Sequence, residues 1–231
     1  MKRIVSVILL LSLAACASSR GFDRGALRSQ IADQKVVTED DIQKTLDLKP
    51  QLPTPFKLAI CFTQPTSRRY YGSLWSWRSE DKDILSTATD ALKASGAITE
   101  TIIIIDDIVE GNDNRAIRMA AARVGADAVL IVRGTSDIDR YNNTFGYTYA
   151  LILTPLFIPG TVADGLFMVT ASMWDVRNQY LYLSAEAEGS ASQTRPAVFI
   201  EESQIIKAAK TDALAALSKE LSMRLTKLAA K

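Results

Sequence analysis

Histidine is missing altogether from the 231 residues, and cysteine occurs only twice. Without an imidazole the chain has no Ser-His-Asp or Cys-His catalytic pair, no histidine metal ligand, and no side chain whose ordinary titration falls near neutrality. Charge of one sign is not in excess either: 27 Lys+Arg face 26 Asp+Glu, which leaves no electrostatic footprint for a nucleic-acid partner. A glycine-rich phosphate loop, an internal repeat and a low-complexity tract are all lacking. These absences point away from an enzyme and imply no cofactor.

What is present begins at the amino terminus. Lys2 and Arg3 precede an apolar run from Ile4 to Leu13, interrupted only by Ser6 and Ser12. The run is too short for a bilayer span, which needs about 20 residues, and has the form of a signal-peptide core. It ends in Leu13-Ala14-Ala15-Cys16. This segment resembles the lipobox of bacterial lipoproteins; the plainer alternative is a secretory signal with an incidental cysteine. The resemblance implies cleavage before Cys16, acylation of its thiol and new amino group, and anchorage by several acyl chains, since one chain alone binds only marginally. Residue 17 is alanine, not the aspartate that signals inner-membrane retention in many Gram-negative lipoproteins. That implies the outer membrane, facing the periplasm. Cleavage removes Lys2 and Arg3 and turns the slight basic excess into a slight acidic one, so polybasic adhesion to lipid is excluded. Cys61 is then the remaining thiol, with no disulfide partner in the chain, and its strand setting gives it the character of a small core hydrophobe.

The organisation divides into a signal peptide (1–15), a lipidated tether with a short helix and a Pro-rich lead-in (16–56), and an α/β domain (57–231). Ser18-Ser19-Arg20-Gly21 reads as flexible. Thr38 before Glu39-Asp40-Asp41 reads as a helix cap, and Pro50, Pro53 and Pro55 stiffen the approach to the domain. Strands are predicted at Lys57 to Thr63, at Ile98 to Asp106 (buried on both faces) and at Ala126 to Gly134. Between them lie a helix from Asp81 to Ser95 stopped by Gly96, and one capped by Asn112 or Asn114 and closed by Gly125. Leu166 to Val176 and Tyr180 to Glu188 read as a hairpin about Arg177-Asn178-Gln179. A last helix from about Glu201 to Leu228 carries a stripe of Leu214, Leu217, Leu221, Leu225 and Leu228. The predicted fold is α/β (α+β), a single mixed-sheet domain in the order β-α-β-α-β-insertion-β-β-α.

That order, with Gly125-Ala126-Asp127-Ala128-Val129-Leu130 leading from helix to strand, resembles the periplasmic domain shared by the curli-secretion channel lipoprotein and the penicillin-binding-protein activator lipoprotein. Pro155 to Gly160 and Trp174-Asp175-Val176-Arg177 also resemble segments of uncharacterised proteobacterial lipoproteins. These resemblances imply a non-enzymatic role in envelope assembly through protein contacts or oligomerisation, and carry no catalytic residue across.

Two segments are candidates for contact. Within the apolar insertion (140–165), Phe145, Tyr147, Tyr149, Leu151 and Leu153 alternate with smaller residues before the Pro155-to-Gly160 corner that holds Phe157. The pattern suits a hairpin or capped loop packed on the sheet, a partner surface, or one strand of a membrane hairpin, although Ile152 and Asp164-Gly165 oppose the last. The second segment, Arg68 to Arg78, brings Tyr70, Tyr71, Trp75 and Trp77 together with arginines, residues that anchor interfaces or stack on glycan; an edge strand with inward rings fits equally. Other signals have plainer explanations. Ser79-Glu80-Asp81-Lys82 matches a bare Ser-x-x-Lys spacing without its companion motifs and reads as a helix cap. Asp106, Asp107, Glu110 and Asp113 read as a solvated turn without the Ca²⁺-loop spacing. Asp175 beside Arg177 reads as turn chemistry.

The sequence therefore points to an outer-membrane-anchored periplasmic lipoprotein that docks on unidentified envelope proteins, with a homo-oligomeric ring or pore subunit and a cell-wall glycan binder or enzyme as alternatives.

Overall fold

The computed structural model describes residues 18–32, 38–63, 74–105, 108–111, 113–150 and 154–229. A five-stranded mixed sheet in the order β2-β1-β3-β4-β5 is layered between helices on both faces. The strands are β1 (Phe56–Phe62), β2 (Ile98–Ile104), β3 (Ala128–Asn142), β4 (Thr161–Asp175) and β5 (Leu181–Arg195). The helices are α1 (Arg24–Ile31), α2 (Glu39–Leu46), α3 (Ser79–Thr87), α4 (Asp90–Ala94), α5 (Asn114–Arg123) and α6 (Glu202–Ala229). No helix among the described residues is long and apolar enough to cross a membrane.

β1 pairs in parallel with β2 and β3, whereas β3, β4 and β5 run antiparallel. The chain steps outward from β1 to β2 and returns past β1 to β3. Crossovers between parallel strands keep one hand, so the two connections lie on opposite faces: α3 and α4 on one, α5 on the other. α6 packs beside α3 and buries Ile206, Ala209, Ala213, Leu214, Leu217, Leu221 and Leu225 against Phe167, Val169, Ala171 and Met173. The predicted leucine stripe is the buried face of α6, with Leu228 at its partly buried end. Cys61 is buried with Ala59, Ile104, Ile117 and Ile131 on the α5 face.

Local chemistry explains the boundaries. Gly96 and Gly125 close their helices in the left-handed conformation, at φ 75° and 69°, where a side chain is strained. Thr38 caps α2 and Asp41 returns the bond in a capping box. Asp113, rather than Asn112 or Asn114, caps α5 by accepting from the Ala116 N–H at 2.7 Å. The predicted helix from Asp81 to Ser95 is broken at Ala88-Thr89. There the hydroxyls of Ser86, Thr87 and Thr89 bond back to carbonyls three residues earlier, a local alternative that competes with the helical ladder.

Two readings are corrected. β2 is not buried on both faces; as an edge strand it has one neighbour, and Ile103 and Ile105 are exposed. The three antiparallel strands also run far past their predicted ends, each to 15 residues. They form a ribbon that extends beyond β1 and β2 and ends in a tip at Asn142, Thr161 and Arg195.

α6 approaches β5 closely because Gly189 faces Ala209 and Ala213; a Cβ on Gly189 would collide with the Ala209 carbonyl oxygen and the Ala213 nitrogen. Backbone cannot yield as a flexible side chain does. Gly189→Ala is therefore expected to lower unfolding stability by about 1–3 kcal/mol, the usual range for overpacking, measured by urea denaturation.

Candidate functional site

The ribbon beyond β1 would expose apolar positions of its α5-side face, and the chain just after Cys16 covers them. Leu27 of α1 packs on Leu166 and Met168, with Phe22 beside them, and Ile31 is buried as well. Polar contacts fix the segment along its length. Asp139, only 2% exposed, accepts the Ser19 hydroxyl, the Gly21 N–H at 2.9 Å and the Arg20 N–H at 3.3 Å. The Arg20 guanidinium reaches both carboxylate oxygens of Asp137, at 2.9 and 3.0 Å, and the Ile138 carbonyl. Further on, Arg24 pairs with Glu188, Arg28 with Glu186, and the Thr135 hydroxyl donates to Gln30 at 2.8 Å. Ser18 to Gly21, read from sequence as flexible, is thus tied to the sheet.

The path of this segment has a direction. Ser19 lies at the level of Asp139 and Gln30 at the level of Thr135, so the chain descends from the tip as it leaves the amino terminus. It reaches the opposite end, the base, at Gln51, whose N–H donates to Asp175 and Tyr182. Asp175 is fully buried there and also accepts the Tyr182 hydroxyl at 2.6 Å and the Arg177 N–H at 2.7 Å. Burial and the Asp175 carboxylate push the Tyr182 hydroxyl well above the ordinary phenol range. Arg118 closes the same corner by donating to the carbonyls of Asp175 and Val176. Asp127 of the Gly-Ala-Asp-Ala step joins β1 to the hairpin turn, accepting the Lys57 N–H at 3.0 Å and Arg177 at 2.7 Å. Asp175 therefore does more than shape a turn: it connects the Pro-rich lead-in to the sheet.

At the tip, the described residues 143–150 and 154–160 leave the ribbon beside 196–201. The described part of the alternating segment, Phe145 to Ala150, is not a strand. Thr144–Ala150 forms a 3₁₀ helix, followed by a short turn at Thr154–Leu156 that rests against Ala197–Phe199. The Tyr149 hydroxyl donates to the Ile158 carbonyl and accepts from the Gly160 N–H at 2.9 Å, folding the corner back on itself. Gly160 is required at this close approach, since a Cβ would stand 2.9 Å from the Tyr149 ring. Tyr149 is thus a strut of the loop. Phe157, by contrast, is 76% exposed, and Phe145 (60%), Val198 (56%) and Phe199 (55%) are exposed beside it.

The second candidate segment is also redrawn. Trp75 is only 8% exposed and meets Phe167 edge-on at 4.7 Å, and the two rings fill the space left open by Gly134. Trp77 is partly buried against Phe62 and Trp75 and donates its indole N–H to the Thr63 carbonyl at 2.7 Å. Both tryptophans pack into the core, so neither offers a free ring face for stacking on glycan. Beneath them lies a feature the sequence concealed: Lys210 of α6 and Asp81 of α3 form a buried ion pair at 2.6 Å, with Lys210 also donating to the Ser76 carbonyl. Asp81 further accepts the Arg78 N–H, so Arg78 precedes α3 and Ser79 is its first residue, not its cap. Cys16, Tyr70, Tyr71, Asp106 and Asp107 lie outside the described residues, as does the Tyr147 side chain.

Among the described residues no group of three or more Cys, Asp or Glu stands ready for a metal ion. The signal that could have located the docked segment is the pair Asp137 and Asp139, whose charges interrupt an otherwise strand-like sequence because they receive the amino-terminal chain.

Comparison with known proteins finds no matching family model and no matching curated protein. Among solved structures the chain is similar to the PelC dodecamer from Paraburkholderia phytofirmans, at 16% identity over 75% of this chain and 91% of that one, TM-score 0.32. It is also similar to a minor lipoprotein from Acinetobacter baumannii (11% identity, 75% and 94% covered, TM-score 0.34). A further likeness is to the LpoB C-terminal domain from Salmonella enterica (12%, 64% and 90% covered, TM-score 0.29). Lipoproteins are thus among the structures it resembles, and no role passes to this chain by that likeness.

The docking of the segment depends on ionised Asp139. Burial raises its carboxyl, but the hydrogen bonds from Ser19, Gly21 and Arg20 outweigh that and hold it below the usual carboxylate range. A depressed pKa means that the stabilisation is present above the unfolded value, near 4, and is lost as pH falls through the folded one. Amide protection of Ala26 and Leu27 is therefore expected to fall, relative to α6, as pH drops below about 4. Asp139→Ala should produce the same release at neutral pH, detected as faster trypsin cleavage after Arg20, Arg24 and Arg28 while α6 stays intact.

Proposed function

We propose that the protein is a lipoprotein of the bacterial outer membrane, acylated on Cys16, and that it works without catalysis as a periplasmic docking component of envelope assembly. The observation that carries this reading is the fixed position of Ser19 to Gly21 on Asp139, directly after the lipobox-like Leu13-Ala14-Ala15-Cys16. A polypeptide spans at most about 3.6 Å per residue, so an anchor at Cys16 holds the domain against the membrane instead of on a long leash. Confinement to that layer raises its effective concentration for a partner located there, and no reacting group is needed for that effect. The absent histidine and the use of the described aspartates in structural bonds agree with a binding role.

A second reading, an oligomeric ring or pore subunit, is favoured by β2, whose outer edge pairs with no strand among the described residues and has Ile103, and Ile105 just beyond it, exposed. An unprotected apolar edge is a template for pairing with another copy.

One preparation tests both. Cells fed labelled palmitate should yield label in the full chain, associated with outer-membrane fractions, and Cys16→Ala should abolish the label. Unlabelled wild-type protein would overturn the anchor. The mass of the detergent-extracted particle then separates a monomeric docking protein from a multi-copy ring.

A further inference from the structure

We infer that the tip of the ribbon is a lipid-facing wedge, seated in the same leaflet that holds the acyl chains. This inference rests on the anchor proposed at Cys16. Three observations lead to it. The first is composition: neither 143–160 nor 196–200 contains a charged residue, and the chain enters these segments where the strand pairing ends, at Asn142, Thr161 and Arg195. The second is exposure. Phe145, Leu156, Phe157, Val198 and Phe199 stand in solvent around the contact between the Thr154–Leu156 turn and Ala197–Phe199. Tyr149, the most polar ring described in the loop, is turned inward by its bonds to Ile158 and Gly160. Clustered exposed apolar side chains of this kind mark a contact surface rather than an ordinary loop.

The third observation selects the occupant. Traced backwards from Gln30 to Ser19, the amino-terminal segment climbs the ribbon toward the tip. Cys16 is three residues beyond Ser19, a reach of at most about 11 Å. Asp139, which holds Ser19, is three residues from the last paired position, Asn142, or about 10 Å of strand. Acyl chains on Cys16 therefore enter lipid beside the tip, and the phenylalanines meet the bilayer surface before any other part of the domain. Arg20, Arg140 and Arg195 lie toward this end, each paired with a carboxylate (Asp137, Glu202 and Glu201), so the ribbon's charges begin behind the apolar tip and are balanced there. A second copy of the chain would have to displace the membrane to reach the same side chains.

The test uses the full-length, palmitate-labelled protein reconstituted in phosphatidylethanolamine/phosphatidylglycerol vesicles, with and without brominated acyl chains. A Phe157→Trp reporter is compared with the parent protein, whose own tryptophans lie away from the tip; residue 157 is exposed, so the change leaves the core untouched. An apolar interfacial group sits about 5–10 Å into the headgroup boundary, so the reporter's emission is expected to shift to the blue and to fall about twofold with brominated lipid. Phe145→Ser with Phe199→Ser should return the reporter toward water-like emission. Labelled protein whose reporter stays water-like and unquenched overturns the wedge and leaves the anchor standing. A blue shift without bromine quenching means burial against protein and overturns it as well. Protein that takes up no palmitate overturns both.

Discussion

The unbroken pairing of β3 with β4, from Ala128 opposite Asp175 to Asn142 opposite Thr161, is the constraint on which everything else is hung. It is longer than the parallel part of the sheet, so it creates an upper half with no β1 or β2 beside it. That half needs cover on both faces. The start of α6 supplies one side, with Ile205 and Ile206 against Gly165, and α1 supplies the other with Leu27 on Leu166 and Met168. The ribbon thus explains why residues 19–31 lie along it, and why the turn at Thr154–Leu156 meets Ala197–Phe199. A shorter hairpin would leave both without a purpose.

Much of the lower half was legible from the residues because there the pattern is made by burial alone. Val129 to Val132 is apolar throughout since both faces are covered, and the leucines of α6 repeat at helical spacing because one face meets the sheet. The upper half was hidden for the opposite reason. Asp137, Asp139 and Arg140 read as the end of a strand, yet they continue it; their charges are answered by Arg20, Ser19 and the Ala197 carbonyl, which are far away in sequence. No local rule registers partners that lie 57 to 120 residues distant. The four isoleucines from Ile102 misled in another way, since a run of apolar residues describes a buried strand only when topology gives it two neighbours.

The candidate site divides along the same line. Strict alternation from Phe145 looked like a strand, but Gly146 and Gly160 let the backbone close on itself and the Tyr149 hydroxyl locks the closure. Trp75 and Trp77, flanked by arginines, looked like an interface. Gly134 is what turns them inward, by leaving a gap on β3 that only large rings fill. Phe157 kept an outward face, as did Phe145, because the corner that ends at Gly160 turns around Tyr149 and leaves no core beneath it.

Length along the ribbon also sets a height. β3 has 15 residues, about 50 Å at strand rise, with the Ser19 clasp near one end and the Gln51–Asp175 junction at the other. With the anchor proposed at Cys16, a domain clasped in that way would stand upright like a post driven into a floor. On that proposal its β2 edge and its base would be offered at a fixed altitude above the lipid, and a partner would be selected by where it stands in the envelope as much as by the shape of its surface.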